Sequence, residues 1–530
     1  GGGVNIFGVT MTLENLVIRN NTSLSNGGGL FLGSGADVTL SNSKIIGNSA
    51  GNSGGGVHLF AWSELSMSNV EITGNTTTHD GAGIYANWDD NILSLVNCTV
   101  GGNTSSVDNK YALYWEGDDS KLTIVNTIIW NTDLSSIYMD TDGGSDGPIM
   151  NVAGSVIKGG IANGIKSDDI DEVRQRQNIS GMVTGQDPAF VDASGGDYSI
   201  RGYSGAISVG VDQVTFSSTT YTAPTTDLAG SSRPNPANTL LDAGAYENIN
   251  GIAAYSGDTW YVNANAGLAY GNGSASYPLR EIQPAVELAA SGNTVYVAPG
   301  TYTENVLLEG KDLSILSTGN RDNTIIDGSL GGTNDPTVYL DGDFEGQTVL
   351  FDNITVTGGD GGFRVEGSTN GTFKVTNCII NDNDWNGWGN GATAIGVFSD
   401  NSVHLVNTII SGHETGSSPL IHMGSNGGGE LLIDRCVITG NLNSHILSIA
   451  GNTGNAAINM TNSVVWENDS ELLNVGGSFN HVEIAYNNID TSLTSYLVDT
   501  DTLIWGSGNI DVDPMFVDTA NGNYNLLASS

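Results

Sequence analysis

Three tryptophans recur at nearly one interval, and each is followed within two residues by a carboxylate. Trp62, Trp88 and Trp115 are 26 and 27 residues apart. Indole faces pack against the C–H faces of sugars, and carboxylates accept hydrogen bonds from sugar hydroxyls. The spacing predicts a partly exposed sugar-binding stripe with Trp88 at its centre. The alternative is an external aromatic ladder that only packs on itself. The carboxylates are Glu64, Asp89, Asp90 and Glu116.

A second aromatic pair, Trp385 and Trp388, occurs in NDNDWNGWGN. The Gly and Asn residues around it are typical of a loop. Because binding residues concentrate on loops, we interpret this pair as a second glycan-binding candidate. Both aromatic groups make a polysaccharide or a cell-surface glycan the predicted partner.

The turn DTDGGSDG carries three carboxylates, Asp140, Asp142 and Asp146. Oxygen ligands crowded around a turn suit Ca²⁺, although the complete calcium-loop pattern with its closing Glu is missing. Calcium is therefore the one cofactor for which the sequence has a candidate site. The alternative is a solvated turn that binds no ion.

No complete catalytic motif set is found. The seven histidines form no zinc-binding spacing, and neither a nucleophile elbow nor a phosphate-binding loop occurs. We expect Cys98, Cys378 and Cys436 to fill the interior of the fold as small apolar side chains. The sequence therefore favours a protein without enzymatic activity.

The elements that must position these residues are short strands in a repeat. Segments such as SKIIGN, VEITGN and CVITGN alternate in polarity and end in Gly, Asn or Asp, which predicts short strands between tight corners. A period near 27 residues indicates a solenoid of stacked coils. At each corner an Asn tolerates left-handed backbone and can bond to the Asn one coil away. This predicted ladder comprises Asn15, Asn42, Asn69, Asn97, Asn126, Asn353, Asn377, Asn407 and Asn462.

The composition indicates a folded, acidic, β-rich protein. Among 530 residues there are 74 Gly, and 57 Asp and Glu against 16 Lys and Arg, for a net charge of −41. Such a surface repels the phosphates of nucleic acids and of anionic membranes. No apolar run reaches the roughly 18 residues of a membrane span. Neither nucleic-acid binding nor membrane insertion is predicted.

The segments GGGL, GGGV and GAGI, with their I-x-GN and V-x-GN endings, resemble the repeats of polymorphic outer-membrane proteins. More broadly, the chain resembles the right-handed parallel β-helix, or pectin-lyase-like, repeat proteins. Residues 259–306 are similar to the opening of such domains, and residues 279–290 within them imply a short capping helix. QDPAFVDASGGDYSI and VDPMFVDTANGNYNL resemble their late segment, and LLDAGAYEN their closing strand.

The resemblance implies an all-β fold of two tandem right-handed parallel β-helices, the second with an N-terminal capping helix. The first β-helix is predicted over residues 1–248, without its beginning, and a short linker over residues 249–257. The second is predicted over residues 258–530, without its end. Further copies or domains of the same protein are then predicted partners.

This architecture hosts enzymes, adhesins and inert spacers alike, so the fold alone does not decide the function. We predict a non-catalytic, rod-like, secreted or cell-surface protein of a bacterial or archaeal envelope. It would act as an adhesin, spacer or fibre subunit and contact glycans. One alternative is a polysaccharide lyase, with Arg364 as base near Asp382 and Asp384, or a glycoside hydrolase with paired carboxylates. Another is a subunit of an extracellular filament joined end to end.

Overall fold

Short parallel strands joined by tight corners make up nearly all of the protein, as the alternating segments predict. The computed structural model describes residues 1–106, 111–131, 134–141, 147–331, 335–366, 370–384, 394–398, 400–414, 418–424, 429–443, 445–450, 457–469, 471–475, 481–490, 492, 496–498, 503–519 and 522–527.

Two compact units make up the chain. The first contains residues 1–256 and 266–280, and the second contains residues 257–265 and 281–530. Residues 257–265 therefore belong to the second unit, residues 266–280 to the first, and the chain from residue 281 onward to the second. The domain boundaries given above stay a prediction.

Three parallel sheets form the coils of the first unit, and we name them the front, long and short sheets. Each coil contributes a front strand, a corner and one or two strands of the long sheet, and the first four coils also contribute a described short strand. The front sheet contains Val4–Phe7, Leu30–Gly33, Val57–Phe60, Ile84–Asn87, Tyr111–Glu116, Ser135–Asp140 and Ile165–Ser167. The long sheet contains Thr10–Glu14, Val17–Arg19, Asp37–Ile46, Glu64–Thr73, Ile92–Val96, Thr99–Gly101, Lys121–Val125, Ile128–Trp130, Ile149–Ile157 and Gln177–Thr184. The short sheet contains Thr22–Ser23, Ser49–Ala50, Thr76–Thr77 and Thr104–Ser105.

The second unit also contains three parallel sheets, of ten, eight and eight strands. The ten-stranded sheet contains Thr259–Val262, Thr294–Val297, Ser314–Ser317, Thr348–Asp352, Thr372–Thr376, Ser402–Val406, Glu430–Asp434, Ala457–Thr461, His481–Ala485 and Leu503–Trp505. The next contains Gly300–Thr303, Thr324–Asp327, Thr355–Thr357, Ile379–Asn381, Ile409–Ser411, Val437–Thr439, Val464–Trp466 and Asn488–Ile489. The third, the second front sheet, contains Val306–Glu309, Val338–Asp341, Phe363–Val365, Ile395–Val397, Ile421–Gly424, His445–Ala450, Glu471–Val475 and Tyr496–Val498.

Helices and antiparallel hairpins are minor elements. Helices α1 and α2 span Gly160–Gly164 and Ile170–Gln175, and a 3₁₀ turn spans Ala193–Gly195. No helix in the described part of the chain is long and apolar enough to cross a membrane. The hairpins pair Phe190–Asp192 with Asp197–Ile200, Gln213–Phe216 with Thr219–Thr222, and Phe516–Asp518 with Asn523–Leu526.

The predicted capping helix is present in the second unit as α3, Ile282–Leu288. Both carboxylate oxygens of Glu304 accept hydrogen bonds at its beginning, from the backbone N–H groups of Ile282 and Gln283, at 2.8 and 2.9 Å. The Gln283 side chain also pairs with both backbone polar groups of Leu307. The helix is thereby fixed to the first strand of the second front sheet.

Stacking in register decides which side chains form the core. Leu30 pairs with Val57, and Leu32 pairs with Leu59, and all four are fully buried. Phe31 lies between the two leucines and points to the opposite side, because side chains alternate along a strand. Every position therefore belongs to a column that points inward or outward over several coils.

The three cysteines are buried inside their coils, as expected for small interior side chains. Cys98 lies in the first unit, and Cys378 and Cys436 lie in the second. The backbone N–H of Cys98 donates to the hydroxyl of Thr127 one coil away, at 3.2 Å. Cys378 and Cys436 make the equivalent contact with Thr408 and Ser463. Burial raises the pKa of each thiol to about 12, so the thiols are inert near neutral pH.

The corner asparagines of the predicted ladder all have left-handed backbone. Their φ angles run from 46° at Asn42 to 64° at Asn353, and Arg435 takes the same conformation, at 54°, in the coil that lacks the Asn. Side-chain amides bond between Asn69 and Asn42 at 3.1 Å and between Asn407 and Asn377 at 2.7 Å.

The ladder is not continuous in the first unit. Asn126 donates to Asn97 at 3.2 Å, but the amide of Asn97 donates to the backbone oxygen of Asp242 instead of to Asn69. A second ladder, which the sequence analysis did not single out, runs through the last Asn of the segments VIRNN, KIIGN, EITGN, TVGGN and TIIWN, and all of it except Asn21 is buried. It comprises Asn21, Asn48, Asn75, Asn103 and Asn131, with amide contacts of 2.9 to 3.3 Å between neighbours.

We expect Asn75→Ala to lower the free energy of unfolding of the first unit by about 3 kcal/mol, because each buried group left unpaired costs roughly 1–3 kcal/mol. Asn75 accepts two hydrogen bonds from Asn48 and donates to Ile45 and Asn103. Chemical denaturation followed by circular dichroism measures the change. Asn42→Gly is the control and should cost under about 1 kcal/mol, since glycine also adopts left-handed backbone. Equal losses in both variants would contradict the role of the buried ladder.

Candidate functional site

The corner between the front and long sheets places two of the three predicted tryptophans at the surface. Trp62 follows the front strand Val57–Phe60, and Trp88 follows the next front strand. Their φ angles are 54° and 68°, and their side chains are 61% and 59% exposed. A left-handed backbone is unusual for a bulky residue.

The Trp62 position belongs to a column of left-handed residues. Counted back from the paired long strands, Gly8, Gly35, Trp62, Asp90 and Asp119 stand at the same position, with φ between 53° and 72°. A Cβ added at Gly35 would meet nothing within 4 Å. The fold therefore requires a left-handed residue here and is satisfied by glycine, so it does not require an indole.

Carboxylates stabilise this corner. The indole N–H of Trp62 donates to Oδ2 of Asp90 one coil away, at 3.1 Å. Asp89 Oδ1 accepts from the backbone N–H of Asp118, at 3.2 Å. The ring centroids of Trp88 and Phe60 are 6.2 Å apart. We call Phe60, Trp62, Trp88, Asp89 and Asp90 the aromatic corner.

Trp115 does not belong to this corner, contrary to the prediction. It lies within the front strand Tyr111–Glu116 and pairs with Ala86 and Met139 in an inward column. Its side chain is fully buried. The three tryptophans recur at 26 and 27 residues, but the number of residues from front strand to corner differs between coils. Nearly equal spacing therefore does not place all three at the same position of their coils.

The remaining predicted carboxylates, Glu64 and Glu116, lie on strands and not in the turns that carry the exposed indoles. Glu64 begins a strand of the long sheet and pairs with Asp37 and Ile92. Glu116 ends a front strand, where its Oε2 accepts from the Tyr85 hydroxyl at 3.4 Å. Only Asp89 and Asp90 lie at the aromatic corner.

A column of stacked rings on the outer face of the front sheet was missed by the sequence analysis. The signal was the second residue of the segments LFL, VHL, IYA, LYW and IYM, which alternation directs outward. Successive centroids are 5.1 Å apart, and three of the four neighbouring pairs are stacked with interplanar angles of 16° to 19°. Because each ring covers the face of the next, mainly edges and hydroxyls reach the solvent. The column comprises Phe31, His58, Tyr85, Tyr114 and Tyr138.

An acidic column runs beside the rings. Glu116 pairs with Asp140 on the next coil, which accepts a hydrogen bond from the Tyr114 hydroxyl. Burial and nearby carboxylates raise the pKa of Tyr138 to about 12, so this phenol stays protonated. At Asp168 burial raises the pKa, but hydrogen bonds from Thr141 outweigh it and hold the pKa below its usual value. Asp168 is therefore ionised at neutral pH.

A groove of about 530 Å³ adjoins the aromatic corner on the same face. Three phenylalanines line it, Phe7, Phe31 and Phe60, and the last of these also contacts Trp88. Gly1 and the uncharged side chains of Asn5, Ser25, Asn26 and Ser34 complete its lining. The groove thus offers apolar faces and neutral hydrogen-bonding groups, as carbohydrate sites do.

Four predicted residues, Trp385, Trp388, Asp142 and Asp146, lie outside the described residues. Asp140 is described, and its carboxylate is a partner of Tyr114. Among the described residues, no group of three or more His, Cys, Asp or Glu is arranged to hold a metal ion. Calcium binding at this turn stays a prediction.

The residues of the lyase hypothesis lie on different sheets of the second unit. Arg364 is on the second front sheet, where its Nε donates to Glu366 at 2.7 Å and its guanidinium lies 5.6 Å from the Tyr339 ring centroid. Asp382 and Asp384 follow a strand of the neighbouring eight-stranded sheet. The Arg364 side chain is therefore engaged by an ion pair and a ring.

Comparison with protein-family models supports the architecture. Residues 2–178 match the family model of the right handed beta helix region. Pectin methylesterase from carrot is similar at 14% identity, over 48% of this chain and 90% of that chain, with a TM-score of 0.31. The pectin methylesterase from Aspergillus niger matches at 15% identity over 52% and 92%, with a TM-score of 0.28. A PL6 family alginate lyase, AlyGC, matches at 10% identity over 96% of both chains, with a TM-score of 0.22. No curated protein matches significantly. Likeness this weak carries no inference about activity.

We expect Trp115→Ala to lower the free energy of unfolding by about 3–5 kcal/mol, the usual cost of removing a buried large aromatic side chain. Trp88→Asn should cost little, since asparagine tolerates the left-handed backbone that Trp88 adopts. Urea denaturation of the two variants beside the wild type measures both changes. A larger loss in Trp88→Asn than in Trp115→Ala would contradict the assignment of interior and surface.

Proposed function

We propose that this right-handed parallel β-helix repeat protein binds a neutral polysaccharide or cell-surface glycan at the aromatic corner and the adjoining groove. We further propose that it acts as a secreted or cell-surface adhesin, spacer or fibre subunit and not as an enzyme. The observation that carries the proposal is the conformation of Trp62 and Trp88. Both hold left-handed backbone, and both remain about three-fifths exposed.

That conformation has an energetic cost. A left-handed backbone costs an L-residue roughly 1–2 kcal/mol. At the position of Trp62, the preceding coil has Gly35, which adopts the same left-handed backbone at no such cost. Exposed apolar surface on neighbouring coils also favours aggregation unless a partner covers it. A ligand that covers the two indoles accounts for both features.

The chemistry of the surface favours a neutral sugar polymer. Indole and phenyl faces suit the C–H faces of pyranoses, and the amides and hydroxyls of the groove suit sugar hydroxyls. The ionised Asp168 and the net charge of −41 repel polymers that carry carboxylates. Uronate polymers are therefore expected to bind poorly.

The carboxylates of the front sheet fit glycan binding better than they fit glycoside hydrolysis. Glycoside hydrolysis needs one protonated and one ionised carboxyl group flanking the bond. Asp168 is held ionised, and Tyr114 donates its hydroxyl to Asp140. For the lyase alternative, the base candidate Arg364 is paired with Glu366. The hydrolase and lyase alternatives therefore have less support than glycan binding.

Affinity electrophoresis in native gels tests the proposal. Hydroxyethylcellulose, xylan and galactomannan serve as neutral polymers, and polygalacturonate and alginate as acidic ones, each with and without Ca²⁺. We expect the wild type to be retarded by at least one neutral polymer. Trp88→Asn should bind that polymer about tenfold more weakly, a loss of about 1.4 kcal/mol.

Trp505→Ala is the matched control, because Trp505 is 43% exposed but belongs to the second unit. It should keep the retardation of the wild type. The proposal fails if no neutral polymer retards the wild type or if Trp88→Asn is retarded equally. Release of reducing ends or of unsaturated uronates from any of the polymers would establish an enzyme instead.

A further inference from the structure

Residues 206–252 of the first unit cross the corner asparagines of three successive coils, and we call this segment the clasp. The amide of Asn69 donates to the backbone oxygen of Thr226 at 2.7 Å. Asn126 donates to the backbone oxygen of Val211 and accepts from its N–H, both at 2.8 Å. Together with the bond from Asn97 to Asp242, these contacts replace part of the asparagine ladder.

The hairpin of the clasp covers apolar side chains on the outer face of the long sheet. Val96, Val125 and Ala153 form a small buried cluster with Phe216. These three residues point away from the main core of the coils, so only the clasp removes them from water. Opening the clasp would expose them as an apolar strip.

A buried group of charges holds the clasp together. Arg233 Nη1 lies 3.1 Å from Glu247 Oε2, and both side chains are fully buried. The same guanidinium donates to the backbone oxygens of Asp242 and Gly244. Asp227 is also buried and accepts the backbone N–H of Glu247. One guanidinium therefore stands among three carboxyl groups, which leaves an excess of negative charge if all are ionised.

Other charged groups around the cluster do not relieve this excess. The coil contributes Cys98, whose buried thiol stays neutral. Tyr270 approaches Asp242 with a neutral phenol, whose pKa is raised by burial. The nearby Lys44 is already bound to Glu71, which also accepts the hydroxyl of Tyr246 in the clasp.

We propose that the clasp is a pH-sensitive latch, closed when the buried Asp227–Arg233–Asp242–Glu247 cluster retains a proton and loosened in alkali, when it loses that proton. An unpaired buried charge is costly, so losing the proton destabilises the closed clasp selectively. The proton belongs to Asp242 and Glu247 together and not to one residue alone.

The direction of the pH effect follows from linkage. Burial raises the pKa of Asp242 from 3.8 to about 7. Burial and the charge of Asp242 raise the pKa of Glu247 from 4.5 to about 8, against the effect of Arg233. The closed state therefore binds protons more tightly than the open one. Its stabilisation is complete below about pH 4 and is lost as the pH rises through 7 to 8.

Hydrogen exchange measured by mass spectrometry at pH 6 and pH 9, corrected for intrinsic exchange rates, tests the latch. Protection of peptides from residues 206–252 should fall at least about tenfold between these pH values in the wild type. Peptides from the front sheet and from the second unit should change much less. Equal protection at both pH values, or an equal fall in all peptides, would overturn the proposal.

Variants identify the responsible groups. The double variant Asp242→Asn/Glu247→Gln replaces both titrating carboxyl groups with neutral side chains of similar size and should keep the clasp protected at pH 9. Glu247→Gln removes one titrating group and should flatten the pH dependence even if the double variant does not fold. Asp192→Asn, in an exposed hairpin outside the clasp, is the control and should behave as the wild type. A wild-type pH profile in Glu247→Gln would refute the latch.

Discussion

The register of parallel strands from coil to coil is the constraint on which the rest of this structure depends. Each strand bonds through its backbone to the equivalent strand one coil away, so a position in one coil is stacked on the same position in the next. A side chain therefore contacts the equivalent residues of the coils on either side as much as it contacts its neighbours in sequence. Buried asparagines satisfy one another, cysteines stand with hydroxyl residues, and aromatic rings stack at 5.1 Å.

The corners meet this constraint with left-handed backbone. Asparagine and glycine occupy most of these positions because they adopt the conformation at low cost. Variation is tolerated where the corner is exposed to solvent. There Trp62 replaces the glycine of the preceding coil, and Trp88 lies in a longer loop. The fold thus separates positions that maintain the stack from positions that are available for recognition.

Charge is distributed unevenly over the first unit. On the front face, Glu116 and Asp140 are near water and accept hydrogen bonds from tyrosine hydroxyls. In the clasp, carboxyl groups are buried around one guanidinium. The same residue types therefore accept hydrogen bonds near water on the front face and are buried beside a guanidinium in the clasp.

The sequence by itself determined the coils, their corners and the interior cysteines, and its resemblance to β-helix proteins implied the helix α3. The coils and corners depend on period-two alternation and on the backbone preference of Asn, both of which are local. Only the tertiary structure decided the position of Trp115, which its spacing placed with Trp62 and Trp88 but which strand pairing turns inward. It also decided the groups that the clasp brings together, such as Glu71 and Tyr246, which are 175 residues apart. Such contacts depend on strand register and on where a distant segment folds back onto the coils. Neither can be read from the residues adjacent in sequence.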